Sequence, residues 1–519
     1  MKAQQLILLA CVLLMALTPA HPEDKRVKDI GFEKGFLFLK YGEEYKADVN
    51  ICGERDNIYK GSYSAMAEFG KNKNEDGFVI DIGDDNYSGL SMIKINLKSS
   101  ESGVVRIFLI DRDNELWESE DIPVNNGKWN EVNIAVDKMK VSRDSGNTDG
   151  DKRLTLSKIN GFGLKYIKGS MELFIDDIGI WIRTNSQIAK KEKPVSKGTI
   201  RLENNKLIVN GREFFVKGVG YSPLPIGFGE DWNTLEVKSY NFSGDKRILK
   251  RDLSLLKKMG CNTIRTWATV EDELLLDMAR KYGVYVIMGF RINQNLLDFS
   301  KGTDRNKVKN EFREYVKKYC KHPAVLMWCP GNEMNAWYNK DKYFWYTLLE
   351  ELAEIAYEIE GAHYHPVTTA NAGVDFIGDV NMNIDDDSMW ALDCWGSTLY
   401  PIEDNIDKYK KISKKPFWVA EYGIPAWDFK DNIEGEDSQS KYDLSEWAKI
   451  TAKKDICIGG CVMAYSDEWW KSGNPLKHEK PPEAWPAEWY GIVKVEKGDN
   501  NLDKVTPRKI YYQFMNLWK

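Results

Sequence analysis

No block of basic residues longer than a few positions occurs anywhere in the chain. A protein that lives on nucleic-acid phosphates needs a positive face, so nucleic acid is not an expected partner. CxxC pairs are missing as well, which removes zinc ribbons. There is no HExxH, no GxSxG and no P-loop. Zinc proteolysis, elbow-type serine hydrolysis and nucleotide hydrolysis therefore have no support. Past residue 20 no apolar run is long enough to cross a bilayer, so no membrane partner is expected. His363-x-His365 has no third ligand near it and reads as two loop histidines.

What is present is a globular composition. The 519 residues are 42% hydrophobic and 29% charged, with 73 basic and 79 acidic residues for a formal charge of −6. At roughly 100–200 residues per domain, two or three domains are expected. Aromatic residues reach 12%, with 18 Trp, and fifteen of those lie after residue 200. Indoles in such numbers offer flat apolar platforms.

The N-terminus reads as a secretory signal peptide over 1–20. Lys2 precedes an uncharged apolar run from Leu6 to Leu17, and Thr18-Pro19-Ala20 offers a small-residue exit. A secreted or periplasmic location follows. Cys11 goes with that segment, leaving Cys52, Cys261, Cys320, Cys329, Cys394, Cys457 and Cys461. The count is odd, and several sit inside apolar strand-like runs. Free buried thiols are the expectation.

Two rhythms divide the remainder. From 28 to 183 the period is two: Ile93, Ile95 and Leu97 alternate with polar neighbours, as do Val132, Ile134 and Val136. Many short strands with turn signals between them predict an all-β sandwich. Residues 184–198 include SQIAKKEKPVSKG and are charged with no apolar period, the pattern of a linker. From 199 to 519 a hairpin, TIRLENNKLIVNGREF, leads into strands that alternate with helices. The strands are FFVKGVGY, CNTIRTWA, VYVIMGF, AVLMWCPGNE, PVTTANA, ALDCWGSTLY, KPFWVAEYG and IGGCVMAYSDEWW. Helices are expected at 249–259 (stopped by Gly260), 271–282, 304–321, 341–361 and 440–454. Eight apolar strands with intervening helices predict an α/β fold, a (β/α)₈ barrel. A doubly wound sheet lacks its Gly-rich phosphate loop after the first strand.

Barrels of this kind carry their chemistry at the strand C-termini. There the sequence places Tyr221, Arg265, Asn332-Glu333, Tyr400, Glu421 and Asp467-Glu468. Glu333 and Glu421 each end an apolar strand directly. Two carboxyl groups across one mouth are what glycosidic bond cleavage needs: one gives a proton to the leaving oxygen, the other attacks or activates water. Trp267, Trp337, Trp427, Trp469 and Trp470 fall just past strand ends, where sugar faces could stack on them. Glu468 directly precedes two of these aromatics, Trp469 and Trp470, and reads as a substrate contact.

WCPGNEMN, 328–335, together with WVAEYG, 418–423, resembles the paired signatures of clan A glycoside hydrolases. FFVKGVGYSP and KKMGCNTIRTW are similar to the barrels of family 2 β-glycosidases and of fungal β-1,3-glucanosyltransferases. The closing GIVKVEKGDNNLDKVTPRKIYYQF is similar to the tail of family 2 barrels. The resemblance covers roughly 200–519 and implies Glu333 as acid/base and Glu421 as nucleophile. It further implies Arg265 as the counter-charge of Glu421, Tyr400 as a hydrogen-bond donor to it, and Asn332 as a holder of the sugar 2-hydroxyl. The expected activity is retaining cleavage of a β-linked polysaccharide or oligosaccharide of β-glucan or mannan class, or transfer by the same residues. A non-catalytic sugar-binding or scaffold protein is the reading from another class. The front sandwich, through MELFIDDIGIWI, resembles carbohydrate-binding modules of the galactose-binding jelly-roll kind. In it Trp117 is the expected exposed aromatic and Trp129 an expected core residue. Such modules can hold a structural calcium, but no run of ligands here demands one, and no cofactor is expected.

Overall fold

A computed structural model describes residues 25–30, 38–39, 49–69, 77–80, 87, 90–112, 114–142, 149–150, 152, 154, 156, 159–182, 193–229, 239–472, 474–480 and 486–519. The expected signal peptide and the first part of the expected linker lie outside these residues. The chain divides into two compact units, one of residues 1–190 with 300–302, the other of 191–299 with 303–519.

The first unit is two antiparallel sheets. One runs in the order Asn130–Ala135, Leu90–Ser99, Met171–Ile182, Ser64–Phe69, Val49–Cys52, with Lys25–Ile30 also paired to Met171–Ile182. The other runs Lys140–Val141, Leu116–Glu118, Gly103–Asp111, Ile159–Lys168, Gly77–Ile80, Phe38–Leu39, with Ile122–Val124 on the strand Gly103–Asp111. Alternation sends Ile93, Ile95, Leu97, Leu173 and Ile175 from one sheet against Ile107, Leu109, Phe162 and Leu164 from the other, and all are buried. Trp117 is half-buried, and its indole N–H is spent on Asp111 Oδ2 at 3.0 Å. Trp129, expected in the core, is only half-buried and meets the Tyr59 ring at 5.6 Å.

The second unit is a (β/α)₈ barrel. Its parallel strands are β1 Val216–Gly220, β2 Thr263–Arg265, β3 Tyr285–Phe290, β4 Val325–Pro330, β5 Asn371–Ala372, β6 Trp395–Thr398, β7 Phe417–Tyr422 and β8 Cys457–Val462. They pair in the order β4-β3-β2-β1-β8-β7-β6-β5, and a bridge between Trp328 and Val367 closes the ring. The helices are α1 Lys246–Met259, α2 Leu274–Tyr282, α3 Gly302–Tyr319, α4 Met334–Trp337, α5 Lys342–Glu360, α6 Asn405–Ile412, α7 Glu436–Thr451 and α8 Lys509–Trp518. Asp245 caps α1 by accepting from the amides of Arg247 and Ile248, and Gly260 ends it at φ 89. Ile248, Leu249, Leu253, Leu256 and Met259 form the buried stripe of α1.

Close approach decides which residues line the barrel interior. A Cβ on Gly218 would meet the Cys461 sulfur at 2.3 Å, and one on Gly396 would meet the Trp418 indole nitrogen at 2.2 Å. Glycine on one strand thus makes room for a larger side chain on the next. Ile200, Leu207 and Val209 of the leading hairpin join the cluster of Val216, Ile287, Leu326 and Cys461, so the hairpin plugs the end of the barrel away from the site. All seven described cysteines are free, and six are buried.

Several boundaries differ from expectation. PVTTANA is a ladder strand only at its last two residues, because Val367 makes just the closing bridge. The eighth strand ends at Val462 rather than running to Trp470. Helices α6 and α8 were not expected; they bury Ile406 and Tyr409, and Ile510, Tyr511, Phe514 and Trp518. Residues 193–198, expected as linker, are tied to the barrel. Lys193, only 5% exposed, pairs with Asp393 at 2.8 Å, and Ser196 Oγ donates to the Tyr364 carbonyl at 2.7 Å.

Candidate active site

Glu421 lies on β7 at the barrel mouth and is held from two sides. Arg265, the last residue of β2, is fully buried and donates from Nη1 to Glu421 Oε1 at 2.6 Å. Tyr400, two residues past β6, donates its hydroxyl to Glu421 Oε2 at 2.9 Å. Burial alone would lower the Arg265 pKa, but the charge of Glu421 outweighs it and raises it. Arg265 is therefore a permanent cation. Desolvation, then the Glu421 charge, push the Tyr400 phenol well above its usual range, so it stays a neutral donor. The Tyr400 residue as a whole is 43% exposed: the ring reaches solvent while its hydroxyl is turned inward to Glu421.

Glu333 follows the turn that leaves β4. Gly331 at φ 73 is needed there, since a Cβ would lie 2.6 Å from the Trp345 ring. Glu333 itself is left-handed at φ 50, its amide bonded to the Ala370 carbonyl at 2.7 Å, and its own carbonyl starts α4. Strain of this kind persists where the surroundings over-determine it, commonly at functional sites. Two donors fix the carboxyl group: Thr398 Oγ1 to Oε1 at 2.5 Å and the Trp337 indole N–H to Oε2 at 2.9 Å. Asn332 accepts from Arg265 Nη2, so one guanidinium spans the acid's neighbour and the strand-7 carboxylate.

The structure thus brings Arg265, Asn332, Glu333, Tyr400, Glu421 and Trp337 into one hydrogen-bonded constellation. The arrangement can place one carboxylate, fixed by a cation and a phenol, opposite a second carboxyl fixed by neutral donors. Acid/base work beside nucleophilic attack is chemistry such a pair can perform.

Residues 200–475 match the family described as glycosyl hydrolases family 2, TIM barrel domain. The chain belongs to glycosyl hydrolase family 2. Among curated proteins, it is 25% identical to the β-glucuronidase of Mus musculus over 248 residues, 45% of this chain and 34% of that protein. It is 28% identical to that of Rattus norvegicus over 249 residues, again 45% and 34%. The aligned stretch therefore spans about a third of the length of these relatives, 34% in each case. Among solved structures, the β-galacturonidase of Eisenbergiella tayi bound to galacturonate aligns at 16% identity over 92% of this chain and 72% of that one, with a TM-score of 0.44. The β-glucuronidase of Ruminococcus gnavus, with a uronic isofagomine, aligns at 14% over 92% and 68%, with a TM-score of 0.45.

The other tryptophans are placed differently around this family 2 barrel. Trp267 is buried with Met463, Ala464 and Tyr490, and Tyr490 in turn meets Tyr400 edge-on at 6.0 Å. Trp427 is buried against Trp489 at 4.7 Å. Trp469 stacks on His478 at 4.8 Å, and His478 stacks on Trp489 at 3.7 Å. Burial lowers His478 to about 4, so this imidazole is a neutral layer between two indoles. Trp470 is buried beside Lys471, whose ammonium lies 5.2 Å from the Trp267 ring. Among the described residues, the ring partners of Trp427 and Trp469 are Trp489 and His478 rather than either glutamate. Glu468, expected as a substrate contact, is buried and pairs with Lys471 at 2.6 Å. Asp467 is likewise buried, clamped by Arg508 at 2.6 and 2.8 Å.

Thr398 escaped the sequence reading. Period-two alternation from Tyr400 puts it on the same side of its strand, which is the signal that could have found it. Tyr490 and His478 gave none, since the stretch after β8 has no periodic pattern. His365 Nδ1 lies 2.6 Å from Glu360, a structural contact. Among the described residues no group of three His, Cys, Asp or Glu could hold a metal. Among them, too, no helix is long and apolar enough to cross a membrane.

Proposed function

We propose that the protein is a secreted, retaining β-glycoside hydrolase acting on a β-linked polysaccharide or oligosaccharide of β-glucan or mannan class. The observation that carries this reading is the Glu421 carboxylate gripped by Arg265 and Tyr400, with Glu333 held across the mouth by Thr398 and Trp337. In the first step a Glu421 oxygen bonds to the anomeric carbon, the glycosidic C–O bond breaks, and Glu333 gives its proton to the leaving oxygen. In the second, Glu333 takes a proton from water as that oxygen attacks the same carbon, and the Glu421 carboxylate leaves. Asn332, fixed by Arg265, is placed to meet the sugar 2-hydroxyl.

Register supports double displacement. Thr398 is the cross-strand partner of Glu421 and also bonds Glu333 through its hydroxyl. Neighbouring strands lie roughly 4.8 Å apart, so the side chain that holds Glu333 stands one strand spacing from the residue that carries the other carboxylate. That favours the separation of roughly 5–5.5 Å used for retention over the roughly 6.5–9.5 Å that holds an inverting water. Proton NMR during the first turnovers tests this: a β-anomer released from a β-glycoside supports it, and an α-anomer refutes it.

A second substrate reading, a β-linked uronide, rests on the similarity to proteins named β-glucuronidase. Reporter β-glucoside, β-mannoside, β-glucuronide and β-galacturonide assayed side by side separate the two. Products longer than the substrate would assign the same residues to transfer, and no turnover on any reporter or polymer would leave a sugar-binding scaffold. Sugar binding by the front sandwich belongs to the same proposal, and retention of the isolated 21–190 segment on insoluble β-glucan tests it.

A further inference from the structure

Trp337 combines two properties that are rarely found together. It leaves 62% of its surface exposed, and its indole N–H donates to Glu333 Oε2 at 2.9 Å. A single exposed aromatic is ordinary. One bonded to a proton-transfer group is not, because the bond fixes where its open face lies relative to the reacting atoms. Helix α4 sets this up: the Trp337 amide bonds the Glu333 carbonyl at 3.0 Å, and residues four apart share a helix face.

We propose that Trp337 is both the positioning residue of Glu333 and the platform for the leaving group, selecting leaving groups that carry a ring. The inference rests on the reading of Glu333 as the proton donor. To be protonated, the leaving oxygen must come within hydrogen-bond reach of the Glu333 carboxyl. Oε1 is engaged by Thr398 and Oε2 by Trp337. Whatever is attached to the leaving oxygen therefore lies beside the Thr398 side, within the barrel wall, or beside the Trp337 side, which is open. Thr398 is buried and Trp337 exposed, so a sugar or aryl ring enters on the side of the indole. The indole N–H can donate but never accept. It cannot carry the transferred proton and serves only to hold the carboxyl plane.

The test uses the full chain with Trp337→Ala and Trp337→Phe, on the methyl, phenyl and 2,4-dinitrophenyl β-glycosides of the sugar chosen by the reporter assays. Trp337→Ala should raise KM for the phenyl glycoside about five- to tenfold, the worth of one aromatic contact, and leave KM for the methyl glycoside within about twofold. Trp337→Phe keeps a ring but loses the N–H. It should hold the phenyl KM near the wild-type value and lower kcat about tenfold on methyl and phenyl glycosides, whose departure needs a proton. On the 2,4-dinitrophenyl glycoside, whose departure needs no proton, its kcat/KM should change little. Equal KM effects on methyl and phenyl glycosides, or a kcat/KM loss in Trp337→Phe independent of the leaving group, would overturn the proposal. A wild type that cleaves none of the reporters would refute the hydrolase reading itself, a separate outcome.

Discussion

Tyr400→Phe removes one oxygen and nothing else. The lost bond is the 2.9 Å hydrogen bond from phenol to Glu421 Oε2, while Arg265 keeps its 2.6 Å bond to Oε1. A hydrogen bond to a charged acceptor contributes about 1.5–3 kcal/mol. The two chemical steps feel this loss unequally. During attack, Glu421 begins as a full carboxylate and loses charge, so the missing bond raises ground and transition states together. During release of the sugar, Glu421 begins as a neutral ester and regains its charge. The missing bond then raises mainly the transition state, by about half of its value. About 1.4 kcal/mol is a tenfold slowing, so deglycosylation should slow about tenfold and glycosylation by less than about threefold. With a dinitrophenyl glycoside this gives kcat down about tenfold, KM down in parallel and kcat/KM nearly unchanged. Intact-mass analysis of quenched turnover should show the glycosyl-enzyme as the main species. The ring remains in place, and its exposed edge carries no packing to lose. A fall in kcat/KM with kcat unchanged, or no covalent species at steady state, would refute the two-step reasoning.

Glu421→Ala should abolish turnover on every substrate, whereas Glu333→Ala should keep most of its kcat/KM on activated aryl glycosides while kcat falls, and azide should restore turnover with a β-glycosyl azide detected by NMR. Thr398→Val deletes the donor to Glu333 Oε1 at nearly constant volume; kcat on a phenyl glycoside should fall about tenfold, measured against a melting temperature within about 3 °C of the wild type. Burial pushes Glu350 from an ordinary 4.5 up to about 7, so its protonated form is favoured by folding. The folded state then binds more protons than the unfolded one between these values. Its contribution is fully present below about 4.5, is lost as pH rises through about 7, and is worth about 3 kcal/mol at most. Chemical denaturation at pH 5 and pH 7.5 should show a decline that Glu350→Gln reduces. Thiol titration of denatured, non-reduced protein should find the cysteines free, and one thiol or none would imply disulfides.

The barrel was legible because its strands are apolar on both faces, and such runs leave little alternative to a covered parallel sheet. The ends of those runs then pointed to Arg265, Asn332, Glu333 and Glu421 without any need for side-chain detail. What hid was set by contacts distant in sequence. Thr398 matters because β6 lies beside β7 and its hydroxyl crosses to the residue after β4, a relation that only closure of the ring creates. Trp427 and Trp469 read as open platforms because position past a strand end does not reveal that Trp489 and His478, some 10 to 60 residues away, cover them. Lys193 read as linker because a lysine among charges looks solvated. Asp393 and the Tyr364 ring, 4.5 Å from its ammonium, decide otherwise.

The seam between β4 and β5 has a dynamic consequence. Every other strand boundary of the ring is a ladder of backbone pairs, whereas this one is joined by the Trp328–Val367 bridge, by the bond from the Glu333 amide to Ala370, and by side-chain bonds from Thr369 to the Pro330 carbonyl and between Asn335 and Ala372. Glu421, by contrast, stands on a strand laddered on both sides, to β6 and to β8. Bonds that are not part of one ladder can open one at a time. The edge that carries Glu333 is thus held by separable ties, and under the proposed mechanism it is the edge where one group must meet a leaving oxygen and then a water. If Glu421 attacks as proposed, its doubly laddered strand gives it a fixed line of approach, while the residue that must serve two steps stands where the ties are separate.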